Sequence, residues 1–296
     1  MEKSLRQDFD QVDHTTDPAD FVRYLDVTRA LPFFQELKQR SYALLHLEAG
    51  NKVCDVGCGT GEDVLALARL VAPGGRALGV DVSAMMLAEA KRRAAASASS
   101  AEDDTDDTDD TDDTDDTSIV AEFVQMDAQH LDLPEAQFDG VRAERLLQHV
   151  PDPEAALSEM VRIAKPGGRI VLWEADLNLL VLDAPDYHMS QAMQRLICES
   201  FHNGGIGHEL YRHFQHLGLT EVLATPLVYE VTDLALIENA FDLSAMTRRA
   251  IAAGIITQQR ATDWRDSLTA AHAAGWFYCI VGGVLACGRK PGKERK

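Results

Sequence analysis

The sequence predicts an α/β fold: a doubly wound, mostly parallel sheet with an N-terminal helical cap and helical lid insertions. Three observations carry that reading. Short apolar runs alternate with segments of helical period between residues 52 and 173, the alternation that builds parallel strand-helix-strand units. A glycine turn, Gly57-Cys58-Gly59-Thr60-Gly61, joins the first run to the first of these helices. Pro73-Gly74-Gly75 and Pro166-Gly167-Gly168 stop two helices just ahead of new apolar runs.

In chain order, residues 1–48 are polar and place Phe21, Tyr24, Leu25 and then Leu37, Tyr42, Leu44 and Leu45 at helical spacing, interrupted at Pro32. Two or three cap helices are expected there. Lys52 to Val56 is the first strand, and Val64, Leu67, Ala68 and Val71 mark the following helix. Ala77 to Val82 is the second strand, with Ser83 as N-cap of a helix through Arg93. Strands Ala121 to Met126 and Phe138 to Ala143, a helix from Pro153 to Lys165 and a strand from Arg169 to Trp173 complete a cofactor-type core over 49–176. Residues 177–296 read as lid helices and the last strands of the same sheet. Helices are expected near 186–201 and 206–217, a strand over 221–231, helices over 233–253 and 258–274, and a final strand over 276–287. Each helix is too short and too sparsely apolar to build a core alone, so no separate domain is expected.

The chain of 296 residues, 46% of them hydrophobic, can bury a substantial core. Its formal charge of −20 argues against a phosphate-wrapping nucleic-acid binder. More than half of that charge is local: Glu102 and the five Asp-Asp-Thr triplets from Asp103 to Thr117 hold eleven carboxylates, and without them the balance is −9. The stretch 97–118 has no apolar surface to offset chain entropy and is expected to be a disordered acidic insertion, not a calcium loop. No apolar run is long enough for a membrane span, and the first ten residues lack the pattern of a secretory leader, which makes the cytoplasm the expected compartment. The five cysteines, Cys54, Cys58, Cys198, Cys279 and Cys287, read as buried thiols.

A glycine turn between a first strand and a helix lets the backbone approach a ligand closely, and ligands of open α/β sheets sit at the carboxyl ends of the strands. Glu62 and Asp63 occupy the first helical turn, where they would repel a pyrophosphate. Asp55 adds an acceptor suited to an ammonium, and Asp81, 24 residues after Gly57, can accept both hydroxyls of a ribose. The ligand these residues suit is an adenosine with a cationic tail, and a nicotinamide dinucleotide is disfavoured.

Five blocks in order resemble the class I S-adenosylmethionine-dependent methyltransferases, in the branch that includes ubiquinone and menaquinone biosynthesis enzymes. They are Val53-Cys54-Asp55-Val56-Gly57-Cys58-Gly59-Thr60-Gly61, Gly79-Val80-Asp81-Val82-Ser83 with Met86-Leu87, Gln125-Met126-Asp127-Ala128, Arg145-Leu146-Leu147-Gln148-His149-Val150 and Lys165-Pro166-Gly167-Gly168-Arg169. The resemblance implies a seven-stranded Rossmann-like methyltransferase sheet and S-adenosyl-L-methionine as cofactor, released as S-adenosyl-L-homocysteine. It further implies that Asp55, Gly57 and Gly59 hold the methionyl end, Asp81 the ribose, and Val82 and Met86 the adenine face. Asp127 would meet the adenine amine with Ala128 beside it, Arg145 would lie near the methionyl part, and Tyr24 would close over the cofactor.

For the transfer itself an enzyme must align the acceptor, exclude water and, for a hydroxyl or amine, remove a proton. His149 is the candidate base, with Glu174 to orient it or the substrate and Asp176 as a fallback; all three also read as ordinary loop residues. His202, His208, His213 and His216 lack a metal-ligand spacing, so no metal is expected. Glu144-Arg145-Leu146-Leu147 stands where methyltransferases acting on adenine or glutamine amines carry Asn-Pro-Pro-Tyr. The expected acceptor is a small hydrophobic or amphiphilic metabolite, with Leu179, Leu180, Val181, Tyr187, Met189, Met193, Phe201, Phe241, Met246, Trp264 and Trp276 as candidate pocket residues. The competing reading is a catalytically idle, cofactor-binding scaffold or partner subunit; a homodimer is left open.

Overall fold

A computed structural model describes residues 12–13, 19–102 and 119–292, with side chains placed except over 100–102. Two helices, α1 (Ala19–Ala30) and α2 (Pro32–Leu45), precede the sheet, and Pro32 begins the second, where its missing N–H costs nothing. The core then runs β1 (Lys52–Val56), α3 (Glu62–Val71), β2 (Arg76–Asp81), α4 (Ala84–Glu102), β3 (Ala121–Gln125), β4 (Phe138–Glu144), α5 (Pro153–Ile163) and β5 (Ala164–Ala175). After it come β6 (Val181–Leu182), α6 (Tyr187–Glu199), α7 (Ile206–His216), β7 (Thr220–Val231), α8 (Leu234–Phe241), α9 (Leu243–Ala252), α10 (Gln258–Ala273) and β8 (Cys279–Arg289).

Strands β3, β2, β1, β4 and β5 are parallel neighbours in that order. β8 pairs antiparallel with β5 on one edge and with β7 on the other, so β8 alone runs against the rest. The order reverses at β1, and the carboxyl ends of β1 and β4 part there to leave a crevice. The two-residue β6 pairs with Ile280 and Cys279, where β5 no longer reaches, and brings the described strands to eight.

Several boundaries differ from expectation for local reasons. Helix α4 continues from Arg93 to Glu102, through residues assigned above to the acidic insertion, because five of the residues 94–102 are alanine, which has the highest helix propensity. The rest of that insertion, 103–118, lies outside the described residues. β5 starts at Ala164 and carries Pro166-Gly167-Gly168 within it, with Gly167 at φ 85° and a register shift against β4 between Phe138 and Gly140. The expected helix over 233–253 breaks at Asp242, which takes φ 46° and caps α9 by accepting from the Ala245 N–H at 2.9 Å. The final strand begins at Cys279, leaving Trp276 74% exposed.

Two packed layers flank the sheet. On one, α5 and α7 bury Leu157, Met160, Leu210 and Phe214 with Val141, Ile170, Leu172 and Ala286, so α7 is a sheet-covering helix and not part of a lid. On the other, α6, α8, α9 and α10 bury Met193, Ile197, Ile237, Met246 and Trp264 in one core with Val171, Trp173 and Leu285 of the sheet. The Trp264 indole donates to Ser190 Oγ at 3.0 Å and ties α10 to α6. No helix among the described residues is long and apolar enough to cross a membrane.

Candidate active site

The carboxyl ends of β1, β2, β4 and β5 open into a cavity of about 330 Å³, at the lower end of the size of small-molecule sites. Gly57 and Gly59, at φ 76° and 50°, form its floor. A Cβ on Gly57 would stand 2.9 Å from Leu146 Cδ1, and one on Gly61 2.6 Å from Phe123 Cε1, so both the positive φ and the close approach demand glycine. The N–H groups of Gly57 and Cys58 donate to Val80 O at 2.7 and 2.9 Å, fastening the turn to β2.

That turn also fixes Asp81, whose two carboxylate oxygens accept from the Gly59 and Ser83 N–H groups at 2.8 and 2.9 Å. Each oxygen keeps a lone pair for a vicinal diol. Burial raises the Asp81 pKa above its ordinary value, against the pull of the Ser83 and Gly59 amides. Ser83 caps α4 as expected, its Oγ accepting from the Met86 N–H at 3.1 Å. Val82 and Met86 line the cavity beside Asp81, the first 47% exposed and the second packed on Val12 and Phe21. Asp127 and Ala128 form the facing wall, with Asp127 accepting from the Gln129 N–H at 2.9 Å. Glycine cradle, acidic diol holder and apolar flanks therefore fit an adenosine.

The next part of the wall holds Tyr24, Glu144, Arg145 and His149. Arg145 has φ 54°, its N–H donates to Trp173 O at 2.8 Å, and its guanidinium lies 4.8 Å above the Phe34 ring centroid. A non-glycine residue at positive φ is held by its surroundings against a local cost. His149 is buried, with Nε2 2.9 Å from Gln148 Nε2 and its ring 5.7 Å from that of Phe201.

Asp55 and Glu174 stand elsewhere. Asp55 is not on the cavity wall: it is 2% exposed and takes a 2.9 Å hydrogen bond from Arg142, its register partner on β4. Arg142, itself 1% exposed, also reaches Glu144 at 2.5 Å and Asp63 at 3.3 Å, while Lys38 from α2 reaches Asp63 at 2.5 Å and Glu144 at 3.1 Å. Burial pushes Asp55 up to about 6 against the attraction of Arg142. Burial acts in the same direction on Asp63, yet Arg142 and Lys38 hold its carboxyl well below the usual range. Asp63 is thus neutralised inside the protein, and Glu62 is paired with Arg93 and Thr60, so neither faces the cavity as a repelling charge. Of this buried charge cluster the acidic group that reaches the wall is Glu144, two positions beyond Arg142 on the same side of β4.

Glu174 is fully buried and accepts from the N–H groups of Leu146, Leu147 and Gln148 at 2.9, 2.8 and 3.4 Å. Burial raises its pKa to about 7, opposed by those amides. It orients neither His149 nor a ligand by contact; it shapes the turn that delivers Gln148 and His149. Asn203 holds the same turn from the other side through Leu147 O and Val150 O at 2.9 and 2.7 Å. Asp176 pairs with His208, whose Nδ1 lies 2.5 Å away. Among the described residues no group of three or more His, Cys, Asp and Glu is placed to hold a metal.

The far end of the cavity is aromatic: Phe34, Trp173, Phe201, Tyr229 and Phe241 line it. Of the apolar candidates read from sequence, only Phe201 and Phe241 are there. Met189, Met193, Met246 and Trp264 are core, and Val181, Tyr187 and Trp276 face outward. Tyr229 and Phe34 come from elements far apart in the chain, and no local pattern announces them.

A family model described as a methyltransferase domain matches residues 54–172, which span β1 to β5 almost entirely. An uncharacterized 37.1 kDa protein in transposon TN4556 of Streptomyces fradiae is 32% identical over 264 residues, covering 88% of this chain and 69% of that protein. A demethylmenaquinone methyltransferase of Symbiobacterium thermophilum is 34% identical over 133 residues, 45% of this chain and 46% of the relative, so the match spans less than half of that enzyme's length. The YcgJ protein of Bacillus subtilis superposes with a TM-score of 0.58 at 19% identity, covering 86% of this chain and 99% of that one, a likeness of fold. The chain belongs to the class I S-adenosylmethionine-dependent methyltransferases. It is an enzyme of that class, with the Rossmann-like sheet that the glycine turn and the alternating elements announced.

Proposed function

We propose that this enzyme methylates an oxygen, nitrogen or carbon atom of a small hydrophobic or amphiphilic metabolite bound at the aromatic end of the cavity. The observation that carries the reading is continuity: one cavity is lined both by Gly57 and Asp81 and by Phe34, Trp173 and Phe241, together with Arg145 and His149. The cofactor, when bound, supplies an electrophilic methyl group. Asp81 would hold its ribose, Asp127 its adenine amine, and Val82, Met86 and Ala128 the adenine faces. Tyr24, Arg145 and Glu144 border the methionyl part, and Glu144 takes the position that the sequence reading gave to Asp55.

His149 is the group suited to accept the proton of a hydroxyl or amine acceptor. The helices α8 and α6 contribute Ala240, Phe241 and, just past α6, Phe201, which exclude water from that end. The relation to demethylmenaquinone methyltransferase supports a quinone-type ring with an apolar substituent as the first acceptor to assay. Calorimetric titration with S-adenosylmethionine and S-adenosylhomocysteine, with NADH as control, tests the cofactor assignment. Substitution His149→Ala tests the base: turnover of an O- or N-acceptor should fall at least about 100-fold with cofactor affinity retained. Equal turnover would remove His149 from the reaction.

A further inference from the structure

Gln129 lines the cavity with Asp127 and Ala128 and is half-buried. Its backbone N–H donates to Asp127 Oδ1 at 2.9 Å, and its side-chain Nε2 lies 3.1 Å from Oδ1 and 3.3 Å from Oδ2 of the same carboxylate. At the other end of that amide, Oε1 accepts from the Asp152 N–H at 2.9 Å. These two partners fix which way the amide points, because a backbone N–H requires the carbonyl oxygen and a carboxylate requires the NH2 group. Turned over, the amide would set oxygen against carboxylate and N–H against N–H. Asp152 is the N-cap of α5 and follows His149, Val150 and Pro151 of the cavity wall. The Gln129 side chain therefore ties the Asp127 wall to the loop that carries His149.

Asp127 itself is exposed, and the terminal torsion of an exposed carboxylate is ordinarily free to turn over a broad range. Here the backbone and the side chain of one residue hold it in one orientation. Each carboxylate oxygen has two lone pairs, so Oδ1 is filled by Gln129, whereas Oδ2 takes only the longer contact and keeps a lone pair for a ligand. An acceptor that is already aimed loses no rotamer freedom when a donor arrives, which makes the bond count more toward affinity. We propose that Gln129 is a positioning residue that aims Asp127 at the exocyclic amine of the cofactor's purine, so that selection of an amino-purine depends on a side chain acting through its neighbour. This inference rests on the assignment of Asp127 to the adenine amine and adds the group that sets it.

The test uses the full chain and two probes: S-adenosylhomocysteine and its 6-deamino analogue, whose purine carries hydrogen in place of the amino group and keeps N1 as an acceptor. Calorimetry on the unmodified protein should show a preference for S-adenosylhomocysteine of at least about ten-fold, the ratio for about 1.4 kcal/mol. Gln129→Met keeps the side-chain length and removes its donors; it should bring the preference below about three-fold while affinity for the 6-deamino analogue stays within about two-fold. Gln129→Ala removes the same donors and serves as the second variant should Met not be accommodated. In an Asp127→Ala background the preference is already lost, and adding Gln129→Met should change neither affinity by more than about two-fold, because the residue acts through Asp127. An equal loss of affinity for both probes in Gln129→Met, or a further loss in the Asp127→Ala background, would show a residue that only supports the loop and would overturn this inference alone. A preference that survives Asp127→Ala, or none in the unmodified protein, would refute the adenine assignment and the proposal with it, whereas failure to bind S-adenosylhomocysteine at all refutes the cofactor reading beneath both.

Discussion

Glu174 is a carboxyl with no cation paired to it, buried completely and held by three backbone N–H groups. Its pKa of about 7 in the folded protein compares with an ordinary value of 4.5. The folded state therefore binds a proton more tightly than the unfolded chain, and the stability that this group contributes is largest below pH 4.5 and is lost as pH rises through 7. A shift of about 2.5 units corresponds to a total of roughly 3 kcal/mol, of which about 2 kcal/mol falls between pH 5.5 and pH 8.5. Glutamine has the same shape and no titration, and its NH2 group faces the Gln148 N–H where Oε2 accepted it. The difference in unfolding free energy between the native protein and Glu174→Gln, measured by urea denaturation across that pH range, isolates this group because the other titrations cancel. The native protein should lose about 2 kcal/mol relative to the variant as pH rises. A difference that stays flat from pH 5.5 to pH 8.5 would show that Glu174 is ionised throughout, with its three amides outweighing burial.

Other substitutions test separate parts of the structure. Arg142→Met leaves Asp55 and its neighbours buried without their main counter-charge and should destabilise the protein by about 3–5 kcal/mol in chemical denaturation; a near-neutral result would mean that Lys38 and water satisfy the carboxylates. Gly57→Ala forces a methyl group to within 2.9 Å of Leu146 Cδ1 at positive φ, and should weaken S-adenosylhomocysteine at least about ten-fold by calorimetry while circular dichroism stays native. Trp264→Ala empties the junction of α6, α9 and α10 and should cost about 3–5 kcal/mol, read as a lowered urea midpoint with no change in slope.

What was legible in the sequence follows from the range of the forces involved. β1, the glycine turn and α3 depend on neighbours in the chain: a short apolar run buried on both faces, a positive-φ turn that only glycine enters cheaply, and a 3.6-residue apolar stripe. Asp81, Val82, Met86, Asp127 and Ala128 share that advantage, because strand carboxyl ends converge wherever a parallel sheet forms. Asp55 does not share it. A carboxylate beside a glycine turn can serve a ligand or a buried cation, and the choice is made by Arg142, 87 residues away in sequence and directly opposite in strand register. Local patterns carry no information about that pairing until the order β1–β4 is known.

The same pairing explains why the electrostatic argument from Glu62 and Asp63 does not hold while the ligand it pointed to does. At a helix N-terminus a carboxylate is favoured by the macrodipole whatever lies beyond it, and here Lys38, Arg93 and Arg142 complete its neutralisation. Lys38 comes from α2, so the cap helices are bound to the cofactor end by charge as well as by the packing of Phe34 on Trp173. Lys38, Arg142 and Arg145 balance Asp55, Asp63 and Glu144 one for one, so that buried cluster is close to electroneutral, and Asp81 and Asp127 add two carboxylates to the cavity wall. Glu62 and Asp63 are taken up by these cations and lie off the cavity wall, which Gly57, Gly59 and Asp81 line, so charge on the first turn of α3 does not face whatever enters the cavity.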